Sequence, residues 1–96
     1  MSLSINSTTD TGTTYEVDYL GTSGNTHRFR VWIDSRANRL VIEGPRESDG
    51  AGGYRWPQTL SMRYVAPHRE HPNFPGAVIV GMLERAMHLV TGDPSA

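Results

Sequence analysis

The sequence predicts an α+β domain in which a four-stranded antiparallel sheet, a meander plus one strand, carries one C-terminal helix packed on one face. Three observations predict it. Apolar and polar residues alternate with a period of two through residues 15–20, 27–34 and 39–43. The same alternation returns in residues 59–65, and the apolar residues of 75–90 recur at helical spacing.

The first hairpin has one register that satisfies both faces of the sheet. When Asp18 lies opposite Arg28, Glu16 lies opposite Arg30. Side chains alternate between the two faces of a strand, so the remaining residues then place apolar groups on the other face. The connecting residues 21–25, GTSGN, are typical of a turn.

The second hairpin follows the same rule. When Ile33 lies opposite Leu40, Arg30 faces Glu43, and Trp32 lies beside Val41. The sequence therefore predicts a three-stranded meander with an apolar face and a face of opposite charges.

The fourth strand, residues 59–65, has two possible neighbours, the first strand or the third. The helix is predicted for residues 75–90, with Gly92 as its stop. At 100° per residue, one stripe of the helix carries Ile79, Met82, Leu83, Ala86 and Val90.

Composition predicts the boundaries of the domain and the cellular compartment in which it occurs. Residues 1–13, rich in Ser, Thr, Gly and Asn, are predicted to be a flexible tail, 14–92 a single α+β domain, and 93–96 a flexible end. A mean hydropathy of -0.47 and the lack of an apolar run of ~20 residues argue against a membrane association. The absence of cysteine fits the cytoplasm. All nine basic residues are arginine, as in GC-rich genomes, and we expect a bacterial origin.

The polar face of the sheet offers two kinds of partner. Trp32 beside Val41 is an apolar spot that favours a protein partner or a second copy of the chain. Arginines with an aromatic residue on a sheet are also typical of nucleic-acid binding, and Arg28 and Arg63 are the candidates. Because the net charge is -1 and Arg28 faces a carboxylate, nucleic acid is the disfavoured alternative.

The long connection of residues 44–58 holds Tyr54, Arg55 and Trp56 after a run of glycines. Its glycines and prolines make regular structure unexpected. Tyr, Arg and Trp dominate binding hot spots, which makes these three residues a candidate contact with a protein partner. Equally, Trp56 could fold back and close one end of the core.

His68 and His71 are weak candidates for a metal site, in the sequence HREH, which matches no common zinc spacing. The sequence contains no catalytic motif and no cofactor fingerprint, so we assign no catalytic residues and no cofactor. The leading hypothesis is a non-catalytic protein-interaction module that acts as a homodimer or in a larger assembly. The alternatives are a nucleic-acid-associated accessory protein and, more weakly, a histidine-dependent metal-binding or catalytic protein.

Overall fold

A computed structural model describes residues 3–8, 14–34, 36–64 and 77–96. Its strands and single helix, in chain order, are β1 (Leu3–Thr8), β2 (Thr14–Leu20), β3 (Thr26–Asp34), β4 (Arg39–Glu43), β5 (Glu47–Ser48), β6 (Tyr54–Arg55), β7 (Thr59–Arg63) and α1 (Ala77–Thr91). The predicted α+β class, with an antiparallel sheet and a C-terminal helix, is confirmed.

The main sheet has the order β1-β2-β3-β4-β7, and all its neighbouring strands are antiparallel. Both predicted hairpin registers are confirmed. Asp18 lies opposite Arg28 in β2 and β3, and Ile33 lies opposite Leu40 in β3 and β4. The strand whose neighbour the sequence left open, β7, pairs with β4.

Strand β1 adds a fifth strand beside β2, within the residues that composition assigned to the tail. Its pairing with β2 shifts register between Ile5 and Ser7. The segment LSINST alternates apolar and polar residues only over its first half, and its Ser, Thr and Asn content outweighed that short pattern. With β1 beside β2 and β7 beside β4, the meander occupies the middle of the sheet.

The core lies between one face of the sheet and α1. The strands contribute alternate residues, all at most 1% exposed: Val17, Tyr19, Phe29, Val31, Leu40 and Ile42. The helix contributes Ile79, Leu83, Ala86 and Met87, while Leu89 on its far side is 80% exposed. Among the described residues, no helix has the length and apolarity needed to cross a membrane.

The helix stops where the sequence predicts. Gly92 adopts a φ of 70°, and its N–H donates to the His88 carbonyl at 2.8 Å. A positive φ of this kind ends a helix at little cost only for residues such as glycine.

Residues 93–96, assigned by sequence to a flexible end, lie against the β2–β3 turn. Gly21 bridges to Ser95, and the Tyr19 hydroxyl donates to the Asp93 carbonyl at 2.6 Å. The Asp93 carboxylate accepts hydrogen bonds from the Ser23 hydroxyl at 2.5 Å and the Ser23 N–H at 3.2 Å, and lies 3.2 Å from His27 Nε2. The bond from the Ser23 hydroxyl is the main reason why the pKa of Asp93 falls from 3.8 to about 2.

The connection of residues 44–58 is also more regular than its composition suggests. Strands β5 and β6 form a small second sheet, with Glu47 opposite Arg55. The connection leaves β4 at Gly44, whose φ is 143° and whose Cα lies so close to Phe29 that an added Cβ would be 2.8 Å from the Phe29 ring. Glycine is therefore needed at this corner.

Candidate protein-interaction surface

The sheet face opposite α1, here called the outer face, carries the residues of β2, β3, β4 and β7 that alternate with the core residues. Its central residues are Glu16, Asp18, Arg28, Arg30, Trp32, Val41, Glu43 and Ser61. They form rows across the strands because the register of each pair places them side by side.

Arg28, a candidate for nucleic-acid binding, is held by a carboxylate on the neighbouring strand. Its Nε donates to Asp18 Oδ1 at 2.9 Å and its Nη2 to Asp18 Oδ2 at 3.3 Å. This hydrogen bonding to Asp18 raises the pKa of Arg28 above its ordinary value. A guanidinium whose N–H donors already bond a carboxylate is a poor ligand for phosphate.

Arg30 is held from two sides. Its Nε donates to Glu43 Oε1 at 2.6 Å, and the Trp56 ring lies over its guanidinium at 4.9 Å. Trp56 is half-buried and packs on the outer face of the sheet. Of the two roles that the sequence left open for Trp56, contact with a protein partner and closure of one end of the core, this position on the polar face is compatible with the first, which stays a prediction.

Beside Arg30, Trp32 and Val41 form the apolar part of the outer face. They are direct cross-strand neighbours, and each is half-buried. An open hollow of about 270 Å³ lies next to them, lined by Thr14, Arg30, Trp32 and Glu43. The hollow is therefore lined by the Trp32 side chain and by Arg30 and Glu43, which form an ion pair with each other.

The β5–β6 hairpin presents the second group of predicted contact residues. Tyr54 is 61% exposed, and the Arg46 guanidinium lies 3.9 Å from the centre of its ring. Arg55 forms an ion pair with Glu47 across the hairpin. The Arg46 N–H donates to the Arg28 carbonyl at 2.7 Å, which ties the start of this segment to the main sheet.

Arg63, the second candidate for nucleic-acid binding, lies apart from Arg28, on the edge strand β7. It is exposed and lies directly opposite Arg39 of β4. Arg39 itself turns toward Ser61, donating to the Ser61 carbonyl at 2.8 Å and to its hydroxyl.

The structure thus brings Trp32, Val41 and Trp56 to one face, and leaves Tyr54 and Arg55 on the adjoining hairpin. His68 and His71 lie outside the described residues. Within residues 3–8, 14–34, 36–64 and 77–96, no group of three or more potential metal-ligating side chains occurs.

Sequence reasoning missed two contributors to this surface, Arg46 and Thr14. Arg46 acts through Tyr54, eight residues further along the chain, and no local spacing signals that contact. Thr14 lines the hollow because β2 begins one residue earlier than its apolar alternation, opposite Trp32.

No family model matches the chain, and no curated protein or solved structure matches it.

Proposed function

We propose that this chain is a small, non-catalytic protein-interaction module that binds its partner through the outer face of the sheet. The observation that carries the proposal is the apolar pair Trp32–Val41 beside a hollow whose charges are already matched. Interfaces are driven by buried aromatic anchors surrounded by polar groups that exclude water. The outer face has this arrangement.

The ion pairs formed by the arginines of the outer face support a protein partner over nucleic acid. Arg28 and Arg30 each hold a carboxylate within 2.9 Å. Binding of these two arginines to phosphates would break their ion pairs with Asp18 and Glu43, which costs free energy. Arg63 keeps its charge exposed and is the residue on which the nucleic-acid alternative rests.

The β5–β6 hairpin is the second part of the proposed surface. Tyr54 combines a large exposed ring with a backing cation from Arg46, which orders the ring before a partner arrives. Ordering before binding reduces the entropy lost on association.

We also include self-association and a cytoplasmic location in the proposal. The chain lacks cysteine and so needs no oxidising compartment.

Affinity copurification from the native cell with matched variants tests the proposal. Val41→Arg replaces one member of the apolar pair with a long cation and should abolish capture of the partner. Leu89→Arg introduces the same side chain at an 80% exposed site on α1, so capture should be unchanged. Loss of the partner with both variants, or with neither, would refute the outer face as the binding surface.

A further inference from the structure

Strand β7 leaves one row of its backbone groups without a described neighbour. The Tyr64 N–H donates to the Asn38 carbonyl at 2.8 Å, and the Gly44 N–H donates to the Gln58 carbonyl at 2.9 Å. In an antiparallel pair, hydrogen-bonded residues alternate with residues that point away. The even-numbered residues of β7 therefore bond to β4, and Thr59, Ser61 and Arg63 point their N–H and carbonyl groups away from it.

Within the described ranges, no strand lies beyond β7 in the sheet. Exposed backbone groups of this kind are templates for pairing with another strand. Pro57, which lacks an N–H, comes just before the strand and limits pairing at that end.

This edge is complementary to itself in one register. If two copies of β7 meet antiparallel with Ser61 opposite Ser61, Thr59 of each copy faces Arg63 of the other, and every outward-pointing residue of the strand is paired. A shift of two residues brings in Pro57 at one end or residues beyond Arg63 at the other. A larger shift places Arg63 opposite Arg63, which like charges disfavour.

The charges favour the same register. Arg63 lies opposite Arg39 in its own chain, and among the described residues no carboxylate lies within ion-pair distance of it. In the paired register, Arg63 lies opposite Thr59 of the second copy, and Glu43 of that copy lies on the next strand. The Cα atoms of Arg63 and that Glu43 are then about 10 Å apart. Glu43 Oε2 there accepts only a long bond of 3.4 Å from Thr59. An arginine and a glutamate side chain together span that distance.

We propose that the chain forms a two-fold homodimer by pairing β7 with β7 of a second copy, centred on Ser61. Arg39 caps this edge in the single chain, because its guanidinium holds the Ser61 carbonyl. The N–H of Ser61 from the second copy replaces that bond when the strands pair, so Arg39 competes with the pairing.

The dimer extends the proposed interaction surface. Val41 lies opposite Ser61, and Trp32 lies opposite Val41. The row Trp32, Val41, Ser61 therefore continues directly into Ser61, Val41 and Trp32 of the second copy. The two indoles lie about 24 Å apart on one continuous face, at ~4.8 Å per strand. The pairing specifies how the proposed self-association occurs, whereas binding of one partner by both patches rests on the outer face being the binding surface.

Sedimentation velocity across a concentration series tests the pairing. Each chain has a mass of 10.6 kDa, and the wild-type protein should approach twice that mass as concentration rises. Ser61→Pro removes the central N–H while leaving the bonds to β4, and should weaken the dimer about thirtyfold or more through two lost backbone bonds. Ser61→Ala, which loses the hydroxyl and keeps the N–H, should still dimerise.

Arg39→Ala should strengthen the dimer, because it removes the cap from the Ser61 carbonyl. A wild-type protein that stays at 10.6 kDa throughout, or equal dimerisation of the proline and alanine variants, would overturn the proposal. If the mass stays monomeric while Val41→Arg still abolishes partner capture, the edge pairing and the proposed self-association fail, and the outer face stands as the surface that binds the partner.

Cross-linking gives an independent result that does not depend on how well the proline variant folds. The chain has no cysteine, so one introduced thiol reports alone. Ser61→Cys places two thiols on residues ~5.5 Å apart between Cα atoms, within disulfide range. Mild oxidation should yield a covalent dimer. Ser48→Cys, on the exposed β5–β6 hairpin, is the control and should remain largely uncross-linked. Equal cross-linking of both variants would overturn the register.

Discussion

Replacing Trp56 with alanine distinguishes a contact on the outer face from a residue that closes the core. In the structure its ring lies over the Arg30 guanidinium at 4.9 Å. Such a partly exposed cation–π contact contributes about 0.5–1 kcal/mol. Packing of a half-buried indole on a polar face adds about another 1 kcal/mol. We therefore expect Trp56→Ala to lower the free energy of unfolding by about 1–2 kcal/mol.

A core aromatic residue provides the comparison. Phe29 is fully buried, and Phe29→Ala should cost about 3–5 kcal/mol. Urea unfolding followed by circular dichroism measures both variants without relying on the tryptophan signal that one of them loses.

A double-mutant cycle with Arg30→Ala isolates the contact itself. The coupling free energy between Arg30 and Trp56 should be about 0.5–1 kcal/mol. A cost for Trp56→Ala as large as that of Phe29→Ala, together with a coupling near zero, would show that Trp56 belongs to the core and would remove it from the proposed surface.

Other positions give further expected outcomes. Leu83→Ala should cost about 2–5 kcal/mol in urea unfolding, whereas Leu89→Ala, at the 80% exposed site, should stay within about 0.5 kcal/mol; equal effects would contradict the helix orientation. Gly44→Ala should cost about 1–3 kcal/mol, because the new Cβ meets the Phe29 ring in a backbone conformation that alanine avoids; a neutral result would contradict that corner. The lowered pKa of Asp93, about 2, means that its contribution is present above pH ~4 and lost as pH falls toward 2. Melting temperatures measured against pH should fall less steeply in that range for Asp93→Asn than for the wild type.

The meander could be predicted from sequence because two independent patterns fixed one register. Apolar alternation alone allows a shift of two residues, but a shift would separate Asp18 from Arg28 and Arg30 from Glu43. The structure shows both pairs within 2.9 Å. The same logic placed Trp32 beside Val41.

The positions of β7, β1 and residues 93–96 in the fold were harder to predict from the sequence. The alternation of residues 59–65 predicts a strand but carries no charge pair that selects a neighbour, so its position beside β4 had to come from the structure. Strand β1 and the docked residues 93–96 were obscured by small polar residues, whose composition indicates a tail whether or not they pair.

The candidate surface was predictable in part. Trp32 and Val41 followed from the register, and the hot-spot composition singled out Tyr54, Arg55 and Trp56. The position of Trp56 over Arg30 depends on the path of a glycine-rich connection, whose backbone freedom leaves no periodic signal.

The binding role of the outer face is tested most directly by a ¹H–¹⁵N spectrum of the labelled protein before and after native cell extract is added. The chain has two tryptophans, and both indoles lie on the outer face. We expect the indole N–H signals of Trp32 and Trp56 to shift or lose intensity first, while the amides of Gly81 and Leu89 on α1 keep theirs. Unchanged indole signals alongside attenuated helix amides would contradict an interaction surface on this face of the sheet.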